Sequence, residues 1–447
     1  MKKFFALVLV ALLALSMVAC TGETKKEITK DNIKVGVVHI GDPADGSGYS
    51  YTHDCGIVGM QKAIGLRDDQ IVRKNNVSDS DAQAITEAVE ALVAEGCNII
   101  FTTSYGYMEV TNSMATQYPD VYFSHGTGYM SNDKNFNNYF GRIYQARYLA
   151  GIAAGMKTQT GKIGYVAAFT TELAETSSGI NAFALGVQSV NPDAEVYVKN
   201  LSSWFDPANE TAYAEALIEM GCDVIAQHCD TANPQIAAQN HNVFGCGYNS
   251  DMTKDAPKAH LCAPIWNWDV YYTAAVQAVL NGTWDKLGNY YGGLKEGLVD
   301  VSPLSDNCVE GTQERIDAVK ALIKSGEWDV FSGVKLSFNA DGSVVKTNAD
   351  LVDNNGNVIV AAGAASVEDS IITGTKNSLV AGVSESFHGG LSTYCLPSTG
   401  CCTEVMTSRA LTCGFSSISD AQNDGIAATP ADCSVSMTSM CVNWIVH

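Results

Sequence analysis

The chain has 447 residues, and its 48 acidic and 27 basic side chains give a formal net charge of −21 at pH 7. A surface of this charge repels polyanions, so binding to nucleic acid is not expected. The length exceeds what one hydrophobic core usually supports, which predicts more than one folded unit.

The first 20 residues, MKKFFALVLVALLALSMVAC, have the pattern of an export signal. Lys2 and Lys3 precede an apolar run shorter than a membrane span, and small residues follow before Cys20. The end of this segment resembles a bacterial lipoprotein signal, which implies a lipid anchor on Cys20 and a place on the outer face of the cell membrane. An ordinary signal peptide cut near Ala19 is the alternative. Residues 21–32 are polar and are predicted to form a linker.

An internal repeat indicates two lobes of one plan. ALVAEGCNII at residues 91–100 returns as ALIEMGCDVI at residues 216–225, an offset of 125, and Gly36 matches Gly164 at an offset of 128. Each copy is typical of a helix end, a glycine stop and a buried strand. We therefore predict an α/β fold with two similar lobes and a cleft between them. Regular alternation of strands and helices without duplication is the alternative.

The predicted elements follow in chain order. Buried strands are expected at residues 33–40, 98–102, 121–123, 162–169, 195–199, 223–226 and 243–246, helices at 143–156 and 270–282, and a hairpin at 328–347 with its turn at 339–342. In doubly wound sheets, ligands bind at the loops that follow the strands. Site residues are therefore sought in those loops.

Aromatic, acidic and amide side chains occur together in these loops. The candidates for ligand contact are Asp42, Asp45, Tyr49, Tyr105, His125, Trp204, Phe205, Asn249, Asp251 and Trp266. The combination suits a flat, polar, uncharged ligand. A stacked ring gains about 1–3 kcal/mol per face, and a carboxylate accepts hydrogen bonds from ring N–H groups or ribose hydroxyls. Tyr49 and Trp204 are the expected stacking walls.

Each candidate also has a structural interpretation. The acids and Asn249 could serve plain turns, the aromatic rings could pack under loops, and His125 and His228 could be hydrogen-bonded core residues. Of Trp266 and Trp268, one is expected to be structural.

The search for catalytic motifs is negative. The sequence has no Gly-x-Ser-x-Gly elbow, no Gly-x-x-x-x-Gly-Lys-Ser/Thr loop and no His-Glu-x-x-His. We therefore predict no enzyme activity, no cofactor and no metal. The paired acids Asp42 and Asp45 leave a nucleosidase as the alternative.

The cysteines fall into two groups besides Cys20. Seven are scattered through the body and are predicted to be mostly reduced core residues: Cys55, Cys97, Cys222, Cys229, Cys246, Cys262 and Cys308. Six crowd into the last 53 residues without a Cys-x-x-Cys pair, so a zinc module is not favoured there. Residues 384–447 lack lysine and regular periodicity and are predicted to be a disordered or extraneous tail.

Several long segments resemble the basic membrane protein family of solute-binding lipoproteins, the group similar to the purine nucleoside receptor of ATP-binding-cassette uptake systems. They are NYFGRIYQARYLAGIAAG (138–155), GKIGYVAAF (161–169), SGINAFALGVQSVNPDAEV (178–196), SWFDPANE (203–210) and GYNSDMTKDAPKAHL (247–261). The resemblance covers about residues 33–380. It implies a type I periplasmic-binding-protein fold, in which two doubly wound parallel-sheet lobes are joined by a hinge of three crossing strands. The lobes would comprise residues 33–157 plus 255–297, and 158–254 plus 298–383.

The resemblance also implies a site with one aromatic side chain from each lobe against a purine base. Tyr49 would supply the first and Trp204 or Phe205 the second. Asp45 would fall near a first-lobe acid, and a second-lobe acid would fall near Asn249 or Asp251. A lysine that holds ribose in the nucleoside-binding members would fall near Trp266, and its absence here favours a free base.

We therefore predict a monomeric, lipid-anchored protein that captures a purine base or nucleoside between its lobes and delivers it to the permease of an ABC importer. The alternatives are a nucleoside hydrolase and a ligand sensor read by a signalling receptor.

Overall fold

The computed structural model describes residues 27–365, 379–385, 394–395 and 402–403. Cys20, the predicted signal and most of the predicted tail lie outside these ranges. No helix in the described part of the chain is both long and apolar enough to cross a membrane.

Strands and helices alternate through most of the chain. The strands are β1 (Val35–Val38), β2 (Ile71–Lys74), β3 (Ile99–Thr102), β4 (Tyr122–Gly126), β5 (Phe136–Gly141), β6 (Lys162–Ala167), β7 (Glu195–Asn200), β8 (Val224–His228), β9 (Phe244–Cys246), β10 (His260–Cys262), β11 (Pro264–Trp266), β12 (Tyr290–Gly292), β13 (Val299–Val301), β14 (Val334–Phe338), β15 (Val344–Asn348), β16 (Leu351–Val352), β17 (Val358–Val360), β18 (Val383–Glu385), β19 (Tyr394–Cys395) and β20 (Cys402–Thr403). The helices are α1 (Gly48–Ile64), α2 (Ala82–Ala94), α3 (Met108–Gln117), α4 (Ile143–Lys157), α5 (Ala174–Val190), α6 (Pro207–Glu219), α7 (Asn233–Asn240), α8 (Trp268–Leu280) and α9 (Thr312–Ser325).

Two six-stranded sheets share the order of five strands, and the sixth strand, β12 or β18, lies at opposite ends of the two sheets. The first runs β12-β5-β4-β3-β1-β2 and the second β10-β9-β8-β6-β7-β18. In each, the first strand of the half lies between the second and the third and pairs with both in parallel. This order places a topological switch point beside β1 and β3 in one sheet and beside β6 and β8 in the other. The predicted α/β class with two parallel sheets is confirmed.

The repeat seen in the sequence corresponds to one packing scheme used twice. A Cβ atom added to Gly36 would lie 3.0 Å from Leu92 Cδ1, and one added to Gly164 would lie 2.9 Å from Leu217 Cβ. Both leucines stand four residues before the glycine stop of the preceding helix. The strand glycine thus lets the helix approach the sheet closely in both halves, which is why it recurs.

The chain forms two compact units. The first comprises the described residues up to Asp42, Cys55–Phe140 and Asp269–Tyr290, and the second comprises Pro43–Asp54, Gly141–Trp268 and the described residues from Tyr291 onward. Besides the excursion at Pro43–Asp54, the chain passes between the units at three positions, as the resemblance implies.

The unit boundaries differ from the predicted ones. Helix α4 and strand β10, which the sequence analysis assigned to the first lobe, belong to the second unit. The reason for α4 is close backbone packing: Cβ atoms added to Gly151 and Gly186 would lie 2.1 Å and 2.0 Å from carbonyl oxygens of the facing helix. Strand β10 belongs there because it pairs with β9.

Two further predictions, the hairpin and the start of the tail, can be compared with the structure. Strands β14 and β15 form the predicted hairpin, with Phe338 opposite Val344. Ser384 and Glu385, which were assigned to the tail, extend β18 beside β7, so the second sheet continues two residues further than predicted. Within the rest of the predicted tail, the described residues are the short antiparallel pair β19 and β20.

Candidate functional site

The second unit places a half-buried acid at its switch point. Asp230 follows β8 by two residues, at the carboxyl end of the sheet. Its Oδ1 atom is buried and has no hydrogen-bond partner among the residues that the structure describes. Burial, followed by the negative charges of Glu210 and Glu175, raises the pKa of Asp230 to about 8. The unpaired Oδ1 atom can therefore accept a hydrogen bond from a ligand that brings an N–H or O–H donor.

Backbone contacts hold Asp230 in place. Its N–H donates to the carbonyl oxygen of Trp204 at 2.9 Å. A Cβ atom at Gly48 would lie 2.9 Å from the Asp230 carbonyl oxygen, and Gly48 has φ +80°. The N-terminal end of α1 therefore approaches Asp230 closely, at a position that only glycine fills without strain.

Glu210 is also buried, but its hydrogen bonds are complete. Its carboxylate accepts from the backbone N–H of Asp206 at 3.1 Å, the N–H of Thr231 at 3.2 Å and the Thr231 hydroxyl. Glu210 thus fixes the loop after β8, which carries Asp230, and its role is structural.

Asn249 is the second buried side chain with unmet hydrogen-bonding capacity. It is 1% exposed, and within the described part of the chain neither its amide oxygen nor its amide nitrogen has a hydrogen-bond partner. Its φ of +59° is a left-handed conformation that asparagine tolerates better than most residues. An isolated parallel bridge to Ile265 holds its backbone. The amide can donate and accept in one plane, as a heterocycle edge requires.

A charged and aromatic cluster lies in the same unit. Arg147 is 1% exposed, with its guanidinium carbon 5.3 Å from the centre of the Tyr248 ring and its Nη1 donating to the Gln227 carbonyl at 3.4 Å. The Nε and Nη2 groups have no hydrogen-bond partner in the described ranges. Cβ atoms at Gly179 would lie 2.8 Å from the Arg147 side chain, so helix α5 packs directly on it. Arg147 is thus a buried cation, and its positive charge acts on the nearby acid Glu175.

His228 and Glu175 form a neutral or singly charged pair beside that cation. His228 Nε2 lies 3.4 Å from Glu175 Oε1. Burial, and then the positive charge of Arg147, holds the pKa of His228 well below its usual range. Burial raises the pKa of Glu175 to about 7, although Arg147 opposes the shift. Near neutral pH the imidazole is therefore uncharged and the contact is a hydrogen bond.

Trp204 provides an aromatic surface next to Asp230. Its half-buried side chain packs against Ala232, Tyr248 and Met252. The ring centre lies 5.7 Å from that of His228 at a tilt of 56°. Phe205, the alternative second-lobe wall, is 64% exposed. Of the two, Trp204 is the one that adjoins the buried polar atoms.

Four aromatic rings contact one another in a row in the second unit. Trp266 stacks on Trp268 with 4.2 Å between ring centres, and Trp268 stacks on His53 at 4.4 Å. Tyr49 meets His53 edge to face at 4.4 Å. Trp268 is fully buried and is thus the structural member of the tryptophan pair. Tyr49, which the sequence placed in the first lobe, belongs to the second unit.

The remaining second-unit candidates lie in turns. Asp45 is exposed in the short 3-10 turn Pro43–Asp45. Asp251 accepts hydrogen bonds from the Thr253 N–H at 2.9 Å and from its hydroxyl at 2.5 Å, and lies 3.5 Å from His260 Nε2. Asp251 therefore has the contacts of a turn residue.

The first unit holds three candidates. Asp42 is half-buried after β1, and Tyr105 is 57% exposed after β3. His125 is fully buried, and its Nδ1 lies 3.1 Å from the Thr102 hydroxyl. A Cβ atom at Gly128 would lie 2.2 Å from the His125 ring. His125 is thus packed as a core residue of its own unit.

The buried state of His125 has an expected effect on stability. Burial lowers its pKa from 6.5 to about 3. Between these values the unfolded chain binds a proton that the folded chain does not, so the free energy of unfolding falls as the pH drops from about 6.5 towards 3. We expect His125→Gln to show a shallower loss over this range in urea titrations at pH 7, 6 and 5. Parallel pH dependences in the two proteins would contradict this assignment.

Three site residues were missed from the sequence: Asp230, Arg147 and Glu175. The loop QHCDTANP was recognised as a strand end, but its acid was not selected. The signal available was position, because Asp230 follows the strand at the switch point. Arg147 and Glu175 lie in helices, where the sequence gives no sign that a charged side chain is buried. In the described part of the chain no group of three or more histidine, cysteine or acidic side chains is arranged to hold a metal ion.

Comparisons with known proteins agree with this architecture. A family model described as an ABC transporter substrate-binding protein, PnrA-like, matches residues 33–332. A purine-binding protein of Brucella abortus is 38% identical over 304 residues, covering 68% of this chain and 84% of that protein. A Haloferax volcanii protein named for glucose binding by an ABC transporter is 33% identical over 324 residues, covering 72% of this chain and 80% of the other.

Solved structures show the same fold at low identity. A solute-binding protein of an ABC transporter system from Conexibacter woesei superposes with a TM-score of 0.57 at 19% identity, covering 66% of this chain and 98% of that one. A transcriptional activator of the comK gene from Bacillus halodurans gives a TM-score of 0.55 at 20% identity, with coverages of 66% and 98%. These likenesses establish the periplasmic-binding-protein type of fold, which proteins of different function share.

Proposed function

Because the chain belongs to the PnrA-like family of ABC transporter substrate-binding proteins, we propose that it binds a free purine base and delivers it to the permease of an ABC importer. Two observations on the second unit carry the proposal: Asp230 and Asn249 have buried polar atoms without a hydrogen-bond partner among the described residues, and Trp204 packs with Tyr248 in an aromatic cluster. Such groups cost free energy unless a ligand completes their hydrogen bonds.

A purine edge supplies what these groups lack. The Oδ1 atom of Asp230 can accept from a ring N–H or exocyclic amino group. The planar amide of Asn249 can pair with an adjacent donor and acceptor, as asparagine amides do with N6 and N7 of adenine. The ring of Trp204 offers a face for stacking. The named ligand of the Brucella abortus relative supports this ligand class.

A free base is favoured over a nucleoside. The resemblance placed a ribose-binding lysine near Trp266, and here Trp266 is 6% exposed and stacked on Trp268. An indole in that position presents no ammonium group to ribose hydroxyls. Because the Trp266 indole occupies this position, we expect this unit to recognise the base of the ligand.

The proposal includes the setting in which binding occurs. The lipoprotein-like segment ending at Cys20 supports anchoring on the outer face of the cell membrane. The family membership supports an ABC permease as the partner. We further propose that the protein acts as a monomer and catalyses no reaction on its ligand.

Calorimetric titration of the purified protein with adenine, hypoxanthine, guanine, adenosine and glucose tests the proposal. We expect micromolar or tighter binding of at least one base and weaker binding of adenosine. Binding of glucose alone would defeat the purine assignment in favour of the ligand class named for the Haloferax volcanii relative. Release of ribose from adenosine would instead indicate a hydrolase. Uptake of labelled adenine by cells with and without the gene tests delivery.

A further inference from the structure

The geometry points to a disulfide-forming pair, Cys246 and Cys262, at the base of the segment that bears Asn249. Both are thiols in this structure. A small-molecule disulfide such as glutathione disulfide would be the oxidant. The bond is a covalent modification that joins two neighbouring strands of the second sheet, and its functional part rests on the proposed function.

The strand register brings the two side chains together. Strands β9 and β10 are parallel, with His260 opposite Gly245 and Cys262 opposite Cys246. The extra residue in β10 is a bulge, and without it Leu261 would stand opposite Cys246. Adjacent strands lie about 4.7–4.9 Å apart, which is inside the range of about 4.4–6.8 Å between Cα atoms that a disulfide spans. The bulge therefore aligns the two cysteines for bonding.

The contacts of the thiols agree with this register. Both residues are at most 1% exposed, and the neighbouring Cys246 thiol, together with burial, raises the pKa of Cys262 well above its usual value, as expected for two thiols that lie close together. Cys246 Sγ also lies 3.7 Å from the Ala150 carbonyl oxygen. Half-buried Cys308 is the competing partner, because Cys262 lies close enough to contribute to the raised pKa of Cys308. The Cys308 thiol, however, donates to the Leu261 carbonyl at 3.4 Å.

The exchange balances with one equivalent of oxidant. The thiolate of one cysteine attacks a sulfur of glutathione disulfide and expels one glutathione thiolate. The second cysteine then attacks the mixed disulfide, so that the Cys246–Cys262 bond forms and the second glutathione leaves. Two protein thiols are oxidised, and one glutathione disulfide is reduced to two glutathione molecules. Because both thiols are buried, the reaction is expected while the strands pair during folding or after local opening.

The bond would act on the proposed ligand site through the backbone. Beyond the two cysteines the strands continue side by side, since the Gly247 N–H donates to the Cys262 carbonyl at 3.0 Å and Asn249 bridges Ile265. A disulfide at the start of this ladder holds the position of Asn249, whose φ of +59° needs support from its surroundings. Preorganisation of this kind raises affinity by lowering the cost of ordering on binding.

Peptide mapping tests the bond without any substitution. The full chain is refolded with a glutathione disulfide and glutathione mixture, remaining thiols are blocked, and proteolytic peptides are analysed by mass spectrometry without reduction. We expect a linked species in which Cys262 is joined to Cys246, with a loss of two hydrogens. Full alkylation of both cysteines, or a link from Cys262 to Cys308, would overturn the assignment.

The functional part has its own readout. We expect the oxidised protein to bind adenine about three- to tenfold more tightly than the reduced protein. Cys262→Ala should bind equally in both redox conditions, while Cys97→Ala, which removes a buried thiol of the first unit, should retain the difference. Equal affinity of the oxidised and reduced native chain would refute the coupling even if the bond forms. Absence of purine binding in every state would refute the proposed function and leave the mapping result standing.

Discussion

Asp230→Asn is expected to weaken binding of the best purine ligand by about 5- to 150-fold. The replacement keeps the size of the side chain but turns one buried acceptor oxygen into a donor. Leaving a buried hydrogen-bonding group without its partner costs about 1–3 kcal/mol, and each 1.4 kcal/mol corresponds to a factor of ten in affinity. We expect a large loss of affinity because Oδ1 has no hydrogen-bond partner among the described residues of the protein. Isothermal titration calorimetry of the native and variant proteins measures it.

Asp45→Asn is the matched control. Asp45 is an acid of the same type in an exposed turn, so its replacement is expected to leave the affinity within a factor of about two. Both proteins should unfold at similar temperatures in the absence of ligand, which separates loss of binding from loss of folding. Equal, small effects of the two substitutions would show that Asp230 does not contact the ligand.

Trp204→Ala should reduce affinity by about 5- to 150-fold if its ring stacks on the base, because each stacked face contributes about 1–3 kcal/mol. Part of the cost could arise from packing, since Trp204 contacts Ala232, Tyr248 and Met252. Trp204→Phe keeps an aromatic face and should recover most of the affinity. Calorimetry, together with quenching of tryptophan fluorescence by the ligand, measures both effects.

The neighbouring Phe205 provides the comparison for Trp204. It is 64% exposed, so Phe205→Ala should change the affinity little. If Phe205→Ala abolishes binding while Trp204→Ala does not, the second-unit wall is Phe205 and Trp204 is scaffold. The two substitutions therefore decide between the alternatives that the sequence left open.

The architecture could be predicted from the sequence because it rests on short, regular patterns. The repeated helix end, glycine and strand at residues 91–100 and 216–225 reflect a packing requirement that acts locally, as Gly36 and Gly164 show. Strand ends then located the loops in which Asp230 and Asn249 lie. These inferences needed only the periodicity and the turn preferences of the chain.

The details of the site could not be predicted in the same way. Whether an acid is buried without a partner depends on residues distant in sequence, and Asp230 is enclosed by Glu210, Glu175 and the approach of Gly48. The assignment of α4 to the second unit likewise depends on which face its small residues meet. A helix that is buried on nearly every side gives no periodic signal to identify its partner.

Gly151 and Gly186 have a consequence for reading variation among related chains. At both positions a side chain would collide with a carbonyl oxygen of the facing helix, at 2.1 Å for Gly151 and 2.0 Å for Gly186. A mutational scan should therefore find these glycines among the least replaceable positions, although they touch no proposed ligand group. Conservation of these two glycines would therefore reflect the packing of two helices. Replacement of residues in the loops after β8 and β9 would instead reflect a change in the ligand that the protein recognises.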